Sequence, residues 1–266
     1  MSRITPEDLT QVRRLLAGHC LGGCLEHVAE CGSTQDLVRA RAEAGAPEGL
    51  VIVADHQTRG RGQRGNTWTQ PPGKDLAFSL LLRPPPEVPP VALAALLPVG
   101  VCLGLEEACG QRLTLKWPND VLLANRKIAG ILIEASSSGG RARYVVGIGV
   151  NVNTTEFPRE LTARAGSLRQ ALGHDLARAG LLASLLLSLD SVYRELLAGA
   201  HDVLLGILTR RLGLAGVDVD LVRGTETLRG RVQGLDLRAV RFRDEHGREH
   251  EFAPETVTRI VPATGP

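Results

Sequence analysis

Residues 57–68, Gln-Thr-Arg-Gly-Arg-Gly-Gln-Arg-Gly-Asn-Thr-Trp, place three glycines and three arginines in one loop. The apolar run Leu50–Ala54 ahead of it reads as a buried strand, and Thr69–Asp75 behind it is polar and turn-forming. Glycine lets a backbone come close to an anion while guanidinium groups surround it. A dinucleotide-binding fold would need a helix directly after the glycines, but residues 66–73 hold a tryptophan and two prolines instead. The Gly-Lys-Ser/Thr of a Walker loop is absent. The reading that remains is a nest of backbone N–H groups, with Arg61, folding over an anionic ligand. Taken alone, the loop is equally compatible with a plain surface turn.

A second island, Lys116-Trp117-Pro118-Asn119-Asp120, precedes Arg126-Lys127-Ile128-Ala129-Gly130-Ile131-Leu132. Pro118 fixes a turn, so Asn119 and Asp120 project from a strand end. Such a pair suits magnesium held through oxygen ligands, with waters and substrate phosphates completing the shell; a ligand-free Asx turn is the alternative. Glycines inside apolar strands, here Gly130, Gly147 and Gly149, mark either close helix packing or a ligand coming near. Of the 31 basic residues only Lys74, Lys116 and Lys127 are lysines, and two of those lie in this island, where a compact ammonium does what a planar guanidinium cannot. The seven histidines show no metal-ligand spacing and there is no Gly-x-Ser-x-Gly elbow, so covalent nucleophilic catalysis has no support.

A net charge of +2 does not describe a polyanion binder, so no nucleic-acid partner is expected. The longest apolar stretch, Val91–Leu105, is too short to span a bilayer and contains Pro98 and two glycines. Five scattered cysteines read as free thiols in a reducing cytoplasm. One helix, Pro6–Ala17, and a connecting segment fill residues 1–32. Ser33-Thr34-Gln35-Asp36 has capping-box spacing and starts a helix ending near Gly45. Strands are expected at 51–55, 76–82, 113–116, 121–124, 127–135 and 144–152, with a Gly/Ser turn at 136–141. The last four form the middle of an antiparallel sheet. Helices are expected at 91–109 and, broken near Gly199, at 181–212; from Val217 the texture is short β runs.

In order and spacing, Ser33-Thr34, Gln57-Thr58-x-Gly60-Arg61-Gly62, Trp68, Lys116–Asp120, Lys127-x-Ala129-Gly130-Ile131-Leu132, Glu134 and Gly147-x-Gly149-x-Asn151-x-Asn153 resemble the biotin–protein ligases. The resemblance implies an α+β catalytic domain with a mixed, largely antiparallel sheet and flanking helices at residues 33–214. A helical extension at 1–32 would precede it and a small SH3-like β-barrel at 215–266 would follow. It implies that biotin is activated by magnesium ATP as biotinyl-5′-adenylate and passed to a lysine of a biotin carboxyl carrier protein of acetyl-CoA carboxylase or a related carboxylase. By the same resemblance Ser33, Thr34, Gln35, Gln57, Gly60, Arg61, Gly62, Gln63, Gly130 and Gly147 line the biotin site. Arg61, Trp68, Lys116, Asn119, Asp120, Lys127 and Asn151 serve the nucleotide, with Asp120 on magnesium; Lys127 also reaches biotin, and Lys127 and Arg61 are catalytic. Three positions depart from the family pattern: Gln35 stands where Asn is usual, and Gln63 and Asn66 where arginines are common, which implies looser retention of the adenylate. Some relatives carry an N-terminal DNA-binding domain, for which the 32 residues before Ser33 leave no room. Lipoate–protein ligase and a non-catalytic biotin-sensing regulator are the competing readings.

Overall fold

The computed structural model describes residues 3–138 and 141–263. Its first helix, α1 (Pro6–Leu15), starts at Thr5, whose hydroxyl accepts from the Asp8 N–H while the Asp8 carboxylate accepts from the Thr5 N–H. This reciprocal cap satisfies two donors that a helix start otherwise leaves open. β1 (Cys24–Cys31), α2 (Thr34–Glu43), β2 (Leu50–Gln57) and β3 (Leu76–Leu82) follow. Next come α3 (Pro90–Cys109), β4 (Thr114–Lys116), β5 (Asp120–Leu123), β6 (Arg126–Ser138) and β7 (Arg141–Val150). α4 (Leu168–Leu172), α5 (Arg178–Leu197) and α6 (His201–Leu212) complete the larger unit.

The seven strands form one sheet in the order β1-β2-β3-β7-β6-β5-β4. β1 and β2 run parallel, and every other neighbouring pair is antiparallel. Alternation along each strand sends successive side chains to opposite faces. Val51 and Val53 of β2, with Leu76, Phe78, Leu80 and Leu82 of β3, join the large core that α3 and α5 cover. Leu50, Ile52 and Leu81 instead meet Val38 and Ala42 of α2 on the other face. Each such side chain, fully buried, contributes roughly 1.5–3 kcal/mol. α3 is long and apolar enough to cross a membrane by length and composition, yet Leu93, Leu96, Val99, Val101 and Leu105 are all fully buried in this core. It approaches α5 closely: a Cβ on Gly104 would lie 2.9 Å from the Leu185 Cα and 3.0 Å from the Ser184 carbonyl oxygen.

The C-terminal residues form β8 (Asp218–Arg223), β9 (Glu226–Leu235), β10 (Val240–Asp244), β11 (Glu249–Phe252) and β12 (Arg259–Pro262). They make a second, antiparallel sheet in the order β11-β10-β9-β8-β12. Val219, Leu221, Val240, Phe242 and Ile260 are its most deeply buried side chains, with Leu235 and Phe252 beside them. Val219, Leu221, Val257 and Ile260 of this module belong to the same apolar core as the larger unit. Two hydrogen bonds add to the joint: the Trp117 indole N–H donates to the Val257 carbonyl at 2.8 Å, and the Arg64 guanidinium to the Thr258 carbonyl at 2.7 Å.

The mixed, largely antiparallel sheet with flanking helices and a small β module is the architecture the sequence implies. Four local expectations are corrected. The connecting segment before Ser33 contains β1, hydrogen-bonded to β2 at the sheet edge, because Leu25 can be buried there. Ser33 sits at the N-cap of α2 but makes no side-chain cap, so the capping box does not form. β6 runs on through Ser138, so the turn expected from 136 begins later; residues 139 and 140 lie outside the described residues. Strands β4–β7 occupy the sheet from one edge to its centre rather than its middle, since β3 pairs with β7. The short capped helix α4 was not anticipated.

Candidate active site

The site lies on the α2 face of the sheet, where β6 and β7 present glycines side by side. Gly130 pairs with Gly149, and Gly147 with Leu132. With no Cβ, this patch leaves space directly above the sheet, and three side chains lie in it. A Cβ on Gly130 would come within 2.9 Å of the Lys127 Nζ, one on Gly147 within 2.7 Å of the Gln35 side chain, and one on Gly149 within 2.3 Å of the Trp68 ring. The room expected beside Gly147 for a ligand is therefore filled by Gln35, whose amide also donates to the Leu132 carbonyl and the Glu134 carboxylate.

The glycine/arginine loop forms the opposite wall and is folded on itself. Gly62 N–H donates to the Asn66 carbonyl, Asn66 N–H to Gln63, and Trp68 N–H to Gly60. Thr58 and Arg59 N–H groups are engaged by the carbonyls of Cys31 and Gly32. Much of the expected nest of free N–H groups is thus used to build the loop. Arg64 and Gly65 have positive φ, 56° and 78°, which closes the turn and suits glycine at the second position. A Cβ on Gly60 would strike the Trp68 carbonyl oxygen at 2.4 Å, so this glycine serves the loop's own fold. Gly60 faces an outer basin with Thr58 and Arg59, away from the main cleft.

Between the walls is a cleft of about 440 Å³, open to solvent. At one end Thr34 N–H and Oγ1 both donate to the Gln57 Oε1, at 2.8 and 3.1 Å, and Thr34 Oγ1 shares a 2.7 Å hydrogen bond with Ser79 Oγ. All three residues are buried, and with Gln57 Oε1 engaged its amide N–H groups remain as donors. Ser33, Gln35, Arg61, Gly62 and Gln63 also line this cleft. Ser79 was missed from sequence, although a lone hydroxyl in the apolar run Leu-Ala-Phe-Ser-Leu-Leu-Leu was a usable signal. Asn119 is pinned by donation of its amide to the Ile131 carbonyl at 2.6 Å, leaving its oxygen available.

A second recess of about 660 Å³ adjoins the first and shares Gly62, Gln63, Trp68, Asn119 and Lys127 with it. Lys116, Asp120, Arg64 and, from the C-terminal module, Thr258 and Arg259 also line it. Lys127 stands at the junction. Its Nζ is 2.5 Å from the Asp120 carboxylate and 5.9 Å from the Trp68 ring centroid. Its backbone is fixed by donation to the Arg164 carbonyl and by acceptance from Gly166 N–H and the Asn151 amide. Asn151 is buried outside both recesses and also donates to the Gly166 carbonyl, so here it supports Lys127 from behind.

Among the described residues no cluster of three or more histidine, cysteine or acidic side chains could hold a metal. A lone Asp120 beside the Asn119 oxygen fits magnesium that arrives with substrate phosphates, since that ion keeps several waters and needs only one or two protein carboxylates. Cys31 ends β1 just before Ser33, but burial, then the Asp36 and Glu30 carboxylates, push its thiol up to about 11. It stays protonated at neutral pH and makes a poor nucleophile. The recesses are built to bind and orient two molecules against a shared ammonium.

The family model described as "Biotin/lipoate A/B protein ligase family" matches residues 31–153. The "Bifunctional ligase/repressor BirA" of Bacillus subtilis is 39% identical over 191 residues, covering 70% of this chain and 58% of that protein. The "Biotin--[acetyl-CoA-carboxylase] ligase" of Mycobacterium tuberculosis is 37% identical over 154 residues, 54% of each chain. The chain thus spans a little over half the length of these curated relatives. Among solved structures, the "Biotin protein ligase from Aquifex aeolicus in complex with biotin and ATP" superposes with a TM-score of 0.77 at 28% identity, covering 91% of this chain and 99% of that one.

Proposed function

We propose, from the premise that this chain belongs to the biotin/lipoate A/B protein ligase family, that it is an ATP-dependent biotin–protein ligase. The observation that carries the reading is Lys127 at the junction of the two recesses, one with a buried hydroxyl–amide end and one lined by Lys116, Arg64 and Arg259. In this reading biotin enters the first recess with its fused bicycle over the glycine patch and its planar ureido group on Thr34, Gln57 and Ser79. ATP lies in the second. The biotin carboxylate attacks the α-phosphorus, the bond to the β-phosphate oxygen breaks, and pyrophosphate leaves with that electron pair. Lys127 neutralises the carboxylate and the α-phosphate as they approach, having exchanged Asp120 for them. Asp120 and the Asn119 oxygen would hold magnesium, which when bound would supply charge neutralisation on the phosphates. The second half-reaction is attack by an acceptor lysine amine on the acyl carbon of the mixed anhydride; AMP departs and the amine loses its proton. No enzyme nucleophile takes part, in keeping with the raised Cys31 thiol.

The acceptor is a biotin carboxyl carrier domain of a carboxylase, and the five free cysteines suit a reducing cytoplasm. Residues from about 215 onward are assigned to the SH3-like module. Biotin is favoured over lipoate because a buried triad of hydroxyls and amide suits a ureido ring and would be left unpaired by a dithiolane. Biotin-dependent exchange of labelled pyrophosphate into ATP tests the reading. Wild type should support exchange with biotin and not lipoate, and Lys127→Ala should lower it by about 10²–10³-fold, the scale of one preorganised charged contact. Binding of biotin without any exchange would turn the reading to a sensor; exchange only with lipoate would turn it to the sister ligase.

A further inference from the structure

At Arg61, on the wall of the cleft, four charged side chains from three segments meet. One Arg61 guanidinium nitrogen, Nη2, lies 2.9 Å from Asp36 Oδ1 and 3.1 Å from Glu134 Oε2. Arg39 reaches the same two oxygens, at 3.2 Å and 2.6 Å. Two arginines and two carboxylates therefore alternate in a square. It joins the glycine/arginine loop through Arg61, the first turns of α2 through Asp36 and Arg39, and β6 through Glu134. Glu134 Oε2 also accepts from the Gln35 amide that covers Gly147. The Arg61 Nε–H is buried with no hydrogen-bond partner.

We propose that this square is the latch of the loop: Arg61 is a positioning residue that acts through Asp36 and Glu134 to hold residues 58–67 over a bound ligand. Two features support this over a direct role as counter-charge to a phosphate. The outer nitrogen is already engaged by two carboxylates, which would repel a phosphate brought to the same place. The second recess, where the phosphates are assigned, is not lined by Arg61, whereas Lys116, Arg64, Lys127 and Arg259 all line it. Among the described residues, the loop's other hydrogen bonds to the body of the protein are those of Thr58 and Arg59 with the Cys31 and Gly32 carbonyls at its start and Arg64 on the Thr258 carbonyl, so removing the square frees its middle. Partly exposed ion pairs are individually weak, but a shared network closing a loop sets the rate at which that loop opens.

The naming of the ligand rests on the ligase reading; the latch does not, and the experiment separates them. Asp36→Asn and Glu134→Gln keep shape and remove charge, and the Gln35 amide is bonded to Glu134 rather than to the Asp36 carboxylate. Hydrogen exchange of residues 58–67 in the ligand-free protein should accelerate roughly three- to tenfold in each variant, and further in wild type at high salt. Release of bound biotinyl-adenylate, followed by chase, should quicken by a similar factor, and the KM for biotin should rise while kcat for pyrophosphate exchange changes less. Unchanged loop exchange and release in both variants, with Arg61→Ala lowering kcat at saturating biotin, would overturn the latch and return Arg61 to the phosphate. If wild type binds no biotinyl-adenylate, the ligase reading falls, and loop exchange alone decides: acceleration in both variants upholds the latch, none overturns it.

Discussion

The two faces of the central sheet use glycine for opposite ends. On the α3/α5 face, a Cβ on Gly104 would meet backbone, the Leu185 Cα and the Ser184 carbonyl, neither of which can move without shifting a helix. On the α2 face, a Cβ on Gly130, Gly147 or Gly149 would meet side chains: Lys127, Gln35 and the Trp68 ring. The first kind of glycine fixes a permanent contact between helices. The second reserves space that an occupant can vacate. A close approach to glycine therefore says little until the neighbour is known to be rigid or displaceable.

That contrast can be broken by substitution. Gly147→Val should act through ligand: its methyls take the volume above the patch and raise the KM for biotin by about a hundredfold, while Gln35 swings aside. Its melting temperature should stay within about 2 °C of wild type. Isothermal titration and a thermal melt read both, and a large loss of stability with normal biotin binding would erase the distinction between the faces. Gly104→Leu should do the reverse. A gain in helix propensity of just under about 1 kcal/mol is outweighed by overpacking against the α5 backbone, for a net loss of roughly 1–3 kcal/mol. Denaturant midpoints should fall while the KM for biotin holds. The smallest effect is expected at Gln63, on the wall common to both recesses. Gln63→Arg adds a charge there and should slow release of biotinyl-adenylate severalfold without moving the melting temperature; an unchanged release rate would remove Gln63 as the cause of looser retention.

What was legible in the sequence follows from how local each feature is. β3 at 76–82 and α3 at 90–109 are continuous apolar runs bounded by turn residues, and both were placed to within a residue. The Lys116–Asp120 and Lys127–Leu132 islands are legible because their spacing is carried within two successive hairpins, β4 to β5 and β5 to β6. β1 was missed because its exposure alternates poorly at an edge, with Leu25 its one fully buried residue. The Asp36–Arg39–Arg61–Glu134 square was illegible for a different reason. It joins residues up to 98 positions apart, from Asp36 to Glu134, and rests on which face of β6 and which turn of α2 each one occupies. Asn151, expected at the nucleotide, directly follows β7 and turns its amide toward the Lys127 and Gly166 carbonyls. Motif membership told that it mattered and not to what it was bonded.

The seam between the two units has a consequence for descent. Trp117 and Arg64, both from the larger unit, donate to main-chain carbonyls of Val257 and Thr258. A carbonyl is supplied by every amino acid, so neither bond asks for a particular side chain at the receiving position. The module can drift in sequence across most of its surface while these bonds stay intact, provided that residues 254–259 keep their course and the side chains in the shared core, Val257 among them, stay apolar. Selection on the two hydrogen bonds therefore falls on the donors, and a C-terminal module with a divergent surface is the history such an attachment permits.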